Sequence, residues 1–364
     1  MKKLLTLFVA SLLTIAATAQ KLNVTTDGVT YQFTASADEM TFTNGTTLTI
    51  QDKDFTLSDI TAMTVTATSS DDIADNTVNV VYNGTSATVT VAGNIAKYIT
   101  PTISGAHVKL ESSLTNDEIS AGTASEITYN LSGSSTDGEF YFAGSSKATF
   151  ELNGLVLTNV TPVNSGAAVH IQDGKRIKVK VVSGTTSTLT DAASGSQKGA
   201  LYIKGHAEFA QKGTLNVYGN VKHAIKAGEY FTIKNATVNV KSAVGDGINC
   251  GQYFLMESGT ITIEGTGDDG IQCDIDDTDT YPTGTGETED HEDEDSGNIY
   301  IEGGTITINC DATAAKGIKC EGDMKISDGT ITVTTTGDGE WDEDDLDTKA
   351  ACGLAADGDM TISG

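Results

Sequence analysis

Between His223 and Cys273 one pattern is written twice at a fixed spacing, and that spacing limits what the chain can fold into. Asp246-Gly247-Ile248-Asn249-Cys250 recurs as Asp269-Gly270-Ile271-Gln272-Cys273, 23 residues later. The preceding segment moves with it: Ala236-Thr237-Val238-Asn239-Val240 recurs as Gly259-Thr260-Ile261-Thr262-Ile263. A unit of this length cannot bury its apolar face alone, so copies must stack on one another.

Aligning the segments gives three apolar columns. The first is Leu201, Ile225, Ile248, Ile271, Ile318 and Leu354, with steps of 24, 23, 23, 47 and 36 residues. The second is Leu215, Val238, Ile261, Ile306 and Ile331, and the third is Phe231, Phe254, Ile299, Met324 and Met360. All three skip at the same two places, which puts insertions of roughly 22 and 13 residues on a repeat of about 23. Three strands per repeat, each alternating in and out, predict three parallel sheets wound around one core. Because parallel crossovers are overwhelmingly right-handed, the expected fold is all-β, a right-handed parallel β-helix over residues 71–364. A left-handed form would show hexapeptide periodicity, and the sequence has none.

The chain before this region has its own character. Residues 1–19 carry Lys2 and Lys3, an apolar run from Leu4 to Ile15 and Ala17-Thr18-Ala19, the pattern of a cleavable secretory signal. No cysteine stands beside that site to take a lipid, so the expected product is secreted, periplasmic or held at the cell surface. Residues 20–70 predict a small, separate β module with strands at Val29–Phe33, Met40–Phe42 and Thr47–Ile50 and a turn at Asn44-Gly45. A polar linker is expected from Thr66 to Asp75. No later apolar run is long enough to span a membrane.

Charge narrows the partners. The formal net charge is −28, which disfavours nucleic acid and anionic lipid and favours cations or ligands carried by cations. Asp246 and Asp269 fall at equivalent positions on neighbouring repeats, with Asp268 beside them. Two carboxylates ~5 Å apart repel by about 3 kcal/mol at an effective dielectric near 20. Such a column is a solvated Asp-Gly corner or a site for a hard cation such as Ca²⁺, which takes oxygen ligands. Two acidic insertions follow. The first begins Asp274-Ile275-Asp276-Asp277, and Asp274, Asp276 and Asp277 are further candidate calcium ligands. The second surrounds Trp341, the only tryptophan. Neither has the spacing of an EF-hand loop.

Both insertions flank one predicted sheet, whose outward residues are Tyr202, Lys226, Asn249, Gln272, Lys319 and Ala355. An amide and lysine strip between acidic walls suits a polysaccharide groove, with Lys226, Asn249, Gln272, Lys319 and Tyr253 as candidate carbohydrate contacts. Cys250, Cys273 and Cys320 share the inward column and predict buried thiols, with a disulfide between repeats as the alternative. A Thr-x-Thr array (Thr260/Thr262, Thr305/Thr307, Thr330/Thr332) predicts a flat hydroxylated face. Catalysis is disfavoured: the single arginine, Arg176, lies far in the chain from Asp268-Asp269, and no Gly-His-Gly accompanies them.

The run Ser242-Ala243-Val244-Gly245-Asp246-Gly247-Ile248 leading to Gly251-Gln252-Tyr253-Phe254, with Lys222-His223-Ala224-Ile225 and Ala315-Lys316-Gly317-Ile318-Lys319, resembles a known family. It is similar to the exported bacterial carbohydrate-binding domain of parallel β-helix form, whose members bind acidic pectic polysaccharide and cellulose with calcium. Glu126-Ile127-Thr128-Tyr129-Asn130-Leu131-Ser132-Gly133 and Leu201-Tyr202-Ile203-Lys204-Gly205-His206 agree, and the resemblance runs from about Val78 to Gly364. It implies non-catalytic binding of polyuronate through bound Ca²⁺. A polysaccharide lyase, or an adhesive surface rod, is the alternative function.

Overall fold

The computed structural model describes residues 20–34, 40–275, 295–343 and 346–364. The chain is nearly all strand, as its crowding of Thr, Val and Ile between glycines requires. Two large sheets dominate, one of ten strands and one of twenty.

The ten-stranded sheet is the one that positions the site. It begins with the antiparallel pair Ile99–Ser104 and His107–Thr115. From there every pairing is parallel, through Glu139–Ser145, Val169–Gln172, Gly199–Ile203, His223–Ala227, Ile248–Cys250, Ile271–Cys273, Lys316–Cys320 and Cys352–Ala356. The larger sheet contains two further parallel ladders. One runs Ile177–Val181, Ala207–Ala210, Phe231–Ile233, Tyr253–Met256, Asn298–Ile301, Met324–Ile326, Met360–Ile362. The other runs Thr186–Thr190, Thr214–Gly219, Thr237–Ala243, Thr260–Ile263, Thr305–Cys310, Thr330–Thr335. The long strand Ala148–Thr158 joins them, pairing with the first ladder before Gly154 and with the second after it.

All three apolar columns read from the sequence are register columns here. Ile225 pairs with Ile248, Ile248 with Ile271, Ile271 with Ile318 and Ile318 with Leu354. The four isoleucines are fully buried, and each contributes roughly 2 kcal/mol of apolar transfer. Phe231 and Phe254 stack with ring planes 1° apart at 5.3 Å. A fourth column, of glycine, explains the Asp-Gly-Ile motif. A Cβ on Gly247, Gly270 or Gly317 would lie 2.6, 2.5 or 2.7 Å from the carbonyl oxygen of the next glycine in line. Neighbouring backbones meet there without room for a side chain.

The first unit is hydrogen-bonded into the rest of the molecule. Gln20–Thr26 pairs antiparallel with Val29–Thr34 and with Ile60–Ala67, while Val29–Thr34 pairs in parallel with Ser86–Ala92. Met40–Thr43, Thr47–Ile50 and Lys53–Thr56 form a small antiparallel sheet, and Asn44 and Gly45 take the positive φ their turn needs. The segment read as a polar linker is anchored: Ile73 is buried, and its N–H donates to Gln32 Oε1 at 2.9 Å. One continuous apolar core runs from Leu22 to Ile326. The Thr-x-Thr positions are in register on the second ladder of the larger sheet.

Candidate functional site

Alternation along the ten-stranded sheet turns every second residue away from the core. Read across the strands, the outward positions form one register line: Lys109, Tyr141, His170, Tyr202, Lys226, Asn249, Gln272, Lys319, Ala355. The last six are the strip expected from the repeat. The first two aromatic positions, Tyr141 and His170, escaped the sequence reading because the strands before Gly199 are spaced 29 and 32 residues apart, not 23. Their ring pairs close to 4.7 Å (Tyr141–His170) and 4.6 Å (His170–Tyr202). Burial lowers the pKa of His170, whose Nδ1 and Nε2 lie 2.8 Å from Ser165 Oγ and 3.0 Å from Gln172 Oε1.

The downstream half of the strip is a hydrogen-bond chain. Lys226 Nζ donates to Asn249 Oδ1 at 2.5 Å, and Asn249 Nδ2 donates to Asp246 Oδ2 at 2.7 Å and Asp274 Oδ2 at 3.1 Å. Gln272 Nε2 donates to Asp274 Oδ1. Asp274 thus holds the two amides in place and stands apart from the carboxylate group described next. Asn249 is itself buried, whereas Lys226, Gln272 and Lys319 are half-buried.

At the N-terminal corner of these strands Asp246, Asp268 and Asp269 each bring a carboxylate oxygen within 4.8 Å of the others. The column read as a possible solvated corner is not one: Asp246 and Asp269 are 2% exposed, and only Asp268 faces water. A repeated bond accounts for their burial. His223 Nδ1 accepts the N–H of Asp246 (3.1 Å), Asp246 Oδ1 that of Asp269 (3.1 Å), and Asp269 Oδ1 that of Lys316 (2.6 Å). Each side chain serves a backbone donor one strand further on. His223 Nδ1 also lies 3.2 Å from Asp246 Oδ2. Lys316 meets the column through its backbone, and Lys319 Nζ stays 3.9 Å from Asp269 Oδ2. Three carboxylates thus share one corner. Burial first, then Asp268 and Asp246, push Asp269 up to about 6 against the pull of the Lys316 N–H and Lys319. Burial and then Asp246 raise Asp268. Three oxygens of this kind, one of them open to solvent, are a donor set for a hard cation.

Other expected site residues are placed differently. Tyr253 belongs to a ladder of the larger sheet, is 3% exposed and stacks on Tyr230 at 4.9 Å. It is an internal packing residue and offers no ring face to a sugar. Asp276 and Asp277 lie outside the described residues. Trp341 is 59% exposed, on a hairpin of Glu340–Asp342 and Asp347–Lys349 closed by an Asp342–Lys349 ion pair. Cys250, Cys273 and Cys320 are in register, buried and free, and Cys310 and Cys352 are free as well. Burial leads the rise in the pKa of Cys273, Cys310 and Cys320.

Residues 116–364 match the family described as carbohydrate-binding domain-containing protein. The chain belongs to that family. Membership makes carbohydrate the class of ligand and supports a polysaccharide as partner. Among solved structures, the chain is similar to the polysaccharide lyase-like protein from C. thermocellum, determined as a gadolinium derivative. The identity is 18%, the match covers 79% of this chain and 97% of that one, and the TM-score is 0.58. At that identity the likeness concerns the fold. A search of curated proteins gave no match. Among the described residues no helix is long and apolar enough to cross a membrane.

Proposed function

We propose that this chain is an exported, non-catalytic polysaccharide-binding protein that takes an acidic glycan of the polygalacturonate type through bound calcium. In this reading the parallel ladders are the faces of a right-handed parallel β-helix, and residues 1–19 direct export. The observation that carries it is the carboxylate group of Asp246, Asp268 and Asp269 at the corner of an outward polar strip. Those three residues hold the cation. Their fit rests on oxygen-only donors within 4.8 Å of one another, on the exposure of Asp268, and on the raised pKa of Asp268 and Asp269, which comes from burial first and from the neighbouring carboxylates after it. Bound there, Ca²⁺ supplies positive charge that a glycan carboxylate can share.

The chain's own residues do the rest. Asp274 fixes the amides of Asn249 and Gln272, which present polar groups toward hydroxyls along the strip. Lys226 and Lys319 add positive charge at either side of those amides. Calorimetric titration with polygalacturonate, in calcium and again in excess EDTA, tests the proposal. Binding that weakens sharply on chelation supports it. Equal heats in both conditions remove calcium from it, and silence with polygalacturonate in calcium removes the glycan.

A further inference from the structure

Upstream of the carboxylate group the same sheet carries a concentration of positive charge. Lys198 and Lys222 sit just before Gly199–Ile203 and His223–Ala227, at adjacent register positions: Gly199 pairs with His223, and the Lys198 carbonyl accepts the His223 N–H at 3.3 Å. Both side chains are exposed. Among the described residues neither has a carboxylate within 4.0 Å, although the chain holds 50 acidic residues against 22 basic ones. Lys198 Nζ leans over the Tyr202 ring, 6.0 Å from its centroid, and Tyr202 is in register with Lys226. Two exposed lysines and a tyrosine thus lie on two neighbouring strands of one sheet. Like charges facing each other across a parallel pair cost stability unless something anionic lies between them.

We infer that Lys198 and Lys222, with Tyr202 as the floor, form a second subsite for the acidic glycan that binds carboxylates directly and needs no metal. The inference rests on the proposed function and names the part of the surface that grips the chain beside the calcium. An acidic glycan laid along the register line passes from lysine pairing at Tyr202 to cation sharing at Asp246, Asp268 and Asp269. Each ammonium is a compact charge that recognises carboxylate without fixed geometry, and the tyrosine contributes a ring edge and a hydroxyl.

The experiment is calorimetric titration of polygalacturonate into the full chain in calcium and in EDTA, for wild type, K198A/K222A and K198R/K222R. In EDTA, wild type keeps a measurable affinity. K198A/K222A weakens it about tenfold, K198R/K222R restores it, and high salt abolishes the difference between them. Unchanged melting temperatures for both exposed double variants exclude a folding defect. Binding in EDTA that K198A/K222A leaves unaltered overturns the subsite. Wild-type binding in calcium that vanishes completely in EDTA also overturns it, while leaving the calcium reading intact. Equal wild-type binding with and without calcium, lost in K198A/K222A, does the reverse.

Discussion

The outward line of the ten-stranded sheet has two halves that follow different rules. From Lys226 to Lys319 the strands repeat every 23 residues or skip one insertion, and the side chains are amides, lysines and carboxylates bonded to one another. From Tyr141 to Tyr202 the spacing is irregular and the side chains are aromatic, packed ring against ring. The core side of the sheet does not change between them: Phe142, Ile171, Leu201, Ile225, Ile248 and Ile271 are all buried. Identical packing demands therefore sit beneath two chemically distinct surfaces. The inner face is set by burial and the outer face is free to specialise.

The difference can be broken most severely from beneath. Gly270→Val places a branched side chain where even a Cβ would sit 2.5 Å from the Gly317 oxygen. We expect a loss of more than about 3 kcal/mol in denaturant unfolding, through forced separation of the strands. Gly265→Ala, where a Cβ meets nothing within 4 Å, serves as the control and should change stability by less than about 0.5 kcal/mol. A normal unfolding curve for Gly270→Val would mean that the downstream half is not held by close backbone contact.

Asn249→Ala asks whether the amide chain is what distinguishes the downstream half. It strips a buried donor from Asp246 and Asp274 together and leaves Lys226 without its acceptor. The expected cost is about 2 kcal/mol by chemical denaturation. Tyr202→Ala, in the aromatic half, should be milder because its ring is only half-buried. A reversed order would show that the two halves had been assigned the wrong kind of support.

The smallest expected effect is on pH dependence. Asp269 has its folded pKa raised to about 6, above the unfolded carboxylate value near 4. The folded state therefore binds the proton more tightly. That contribution favours folding fully below the unfolded value and is lost as pH rises through about 6. Asp173, buried elsewhere and also pushed up to about 6, acts with the same sign. Asp269→Asn keeps an oxygen for the Lys316 N–H and removes the charge. Without divalent metal it should raise stability by about 1–2 kcal/mol at neutral pH, flatten the profile between pH 4 and 6, and abolish any rise in melting temperature on adding calcium. A calcium-induced rise that survives the substitution would detach the cation from this corner.

How much of this could be read beforehand follows the same division. The columns through Ile248, Leu215 and Phe231 were legible because a buried strand must repeat its apolar residue wherever it stacks. Tyr141 and His170 were not, because the loops before them differ in length and the register is hidden until the strands are paired. The position of Asp246 and Asp269 was legible, but their burial was not: it depends on backbone donors from strands 23 and 47 residues away. Tyr253 was misplaced because its alignment with Tyr230 was visible in sequence, while the closure of both rings against the protein was not.

The bond that Asp246 and Asp269 each make to the following strand has one more consequence. Since the two aspartates perform the same task, the segment between them is a removable unit: excising residues 247–269 would bring Asp246 against the Lys316 N–H, in the place Asp269 now fills. Copying that segment would likewise present a fresh acceptor to every fresh donor. At this corner the molecule can thus be shortened or extended by whole units with the aspartate-to-backbone bonds kept, which makes its length a quantity that duplication can tune.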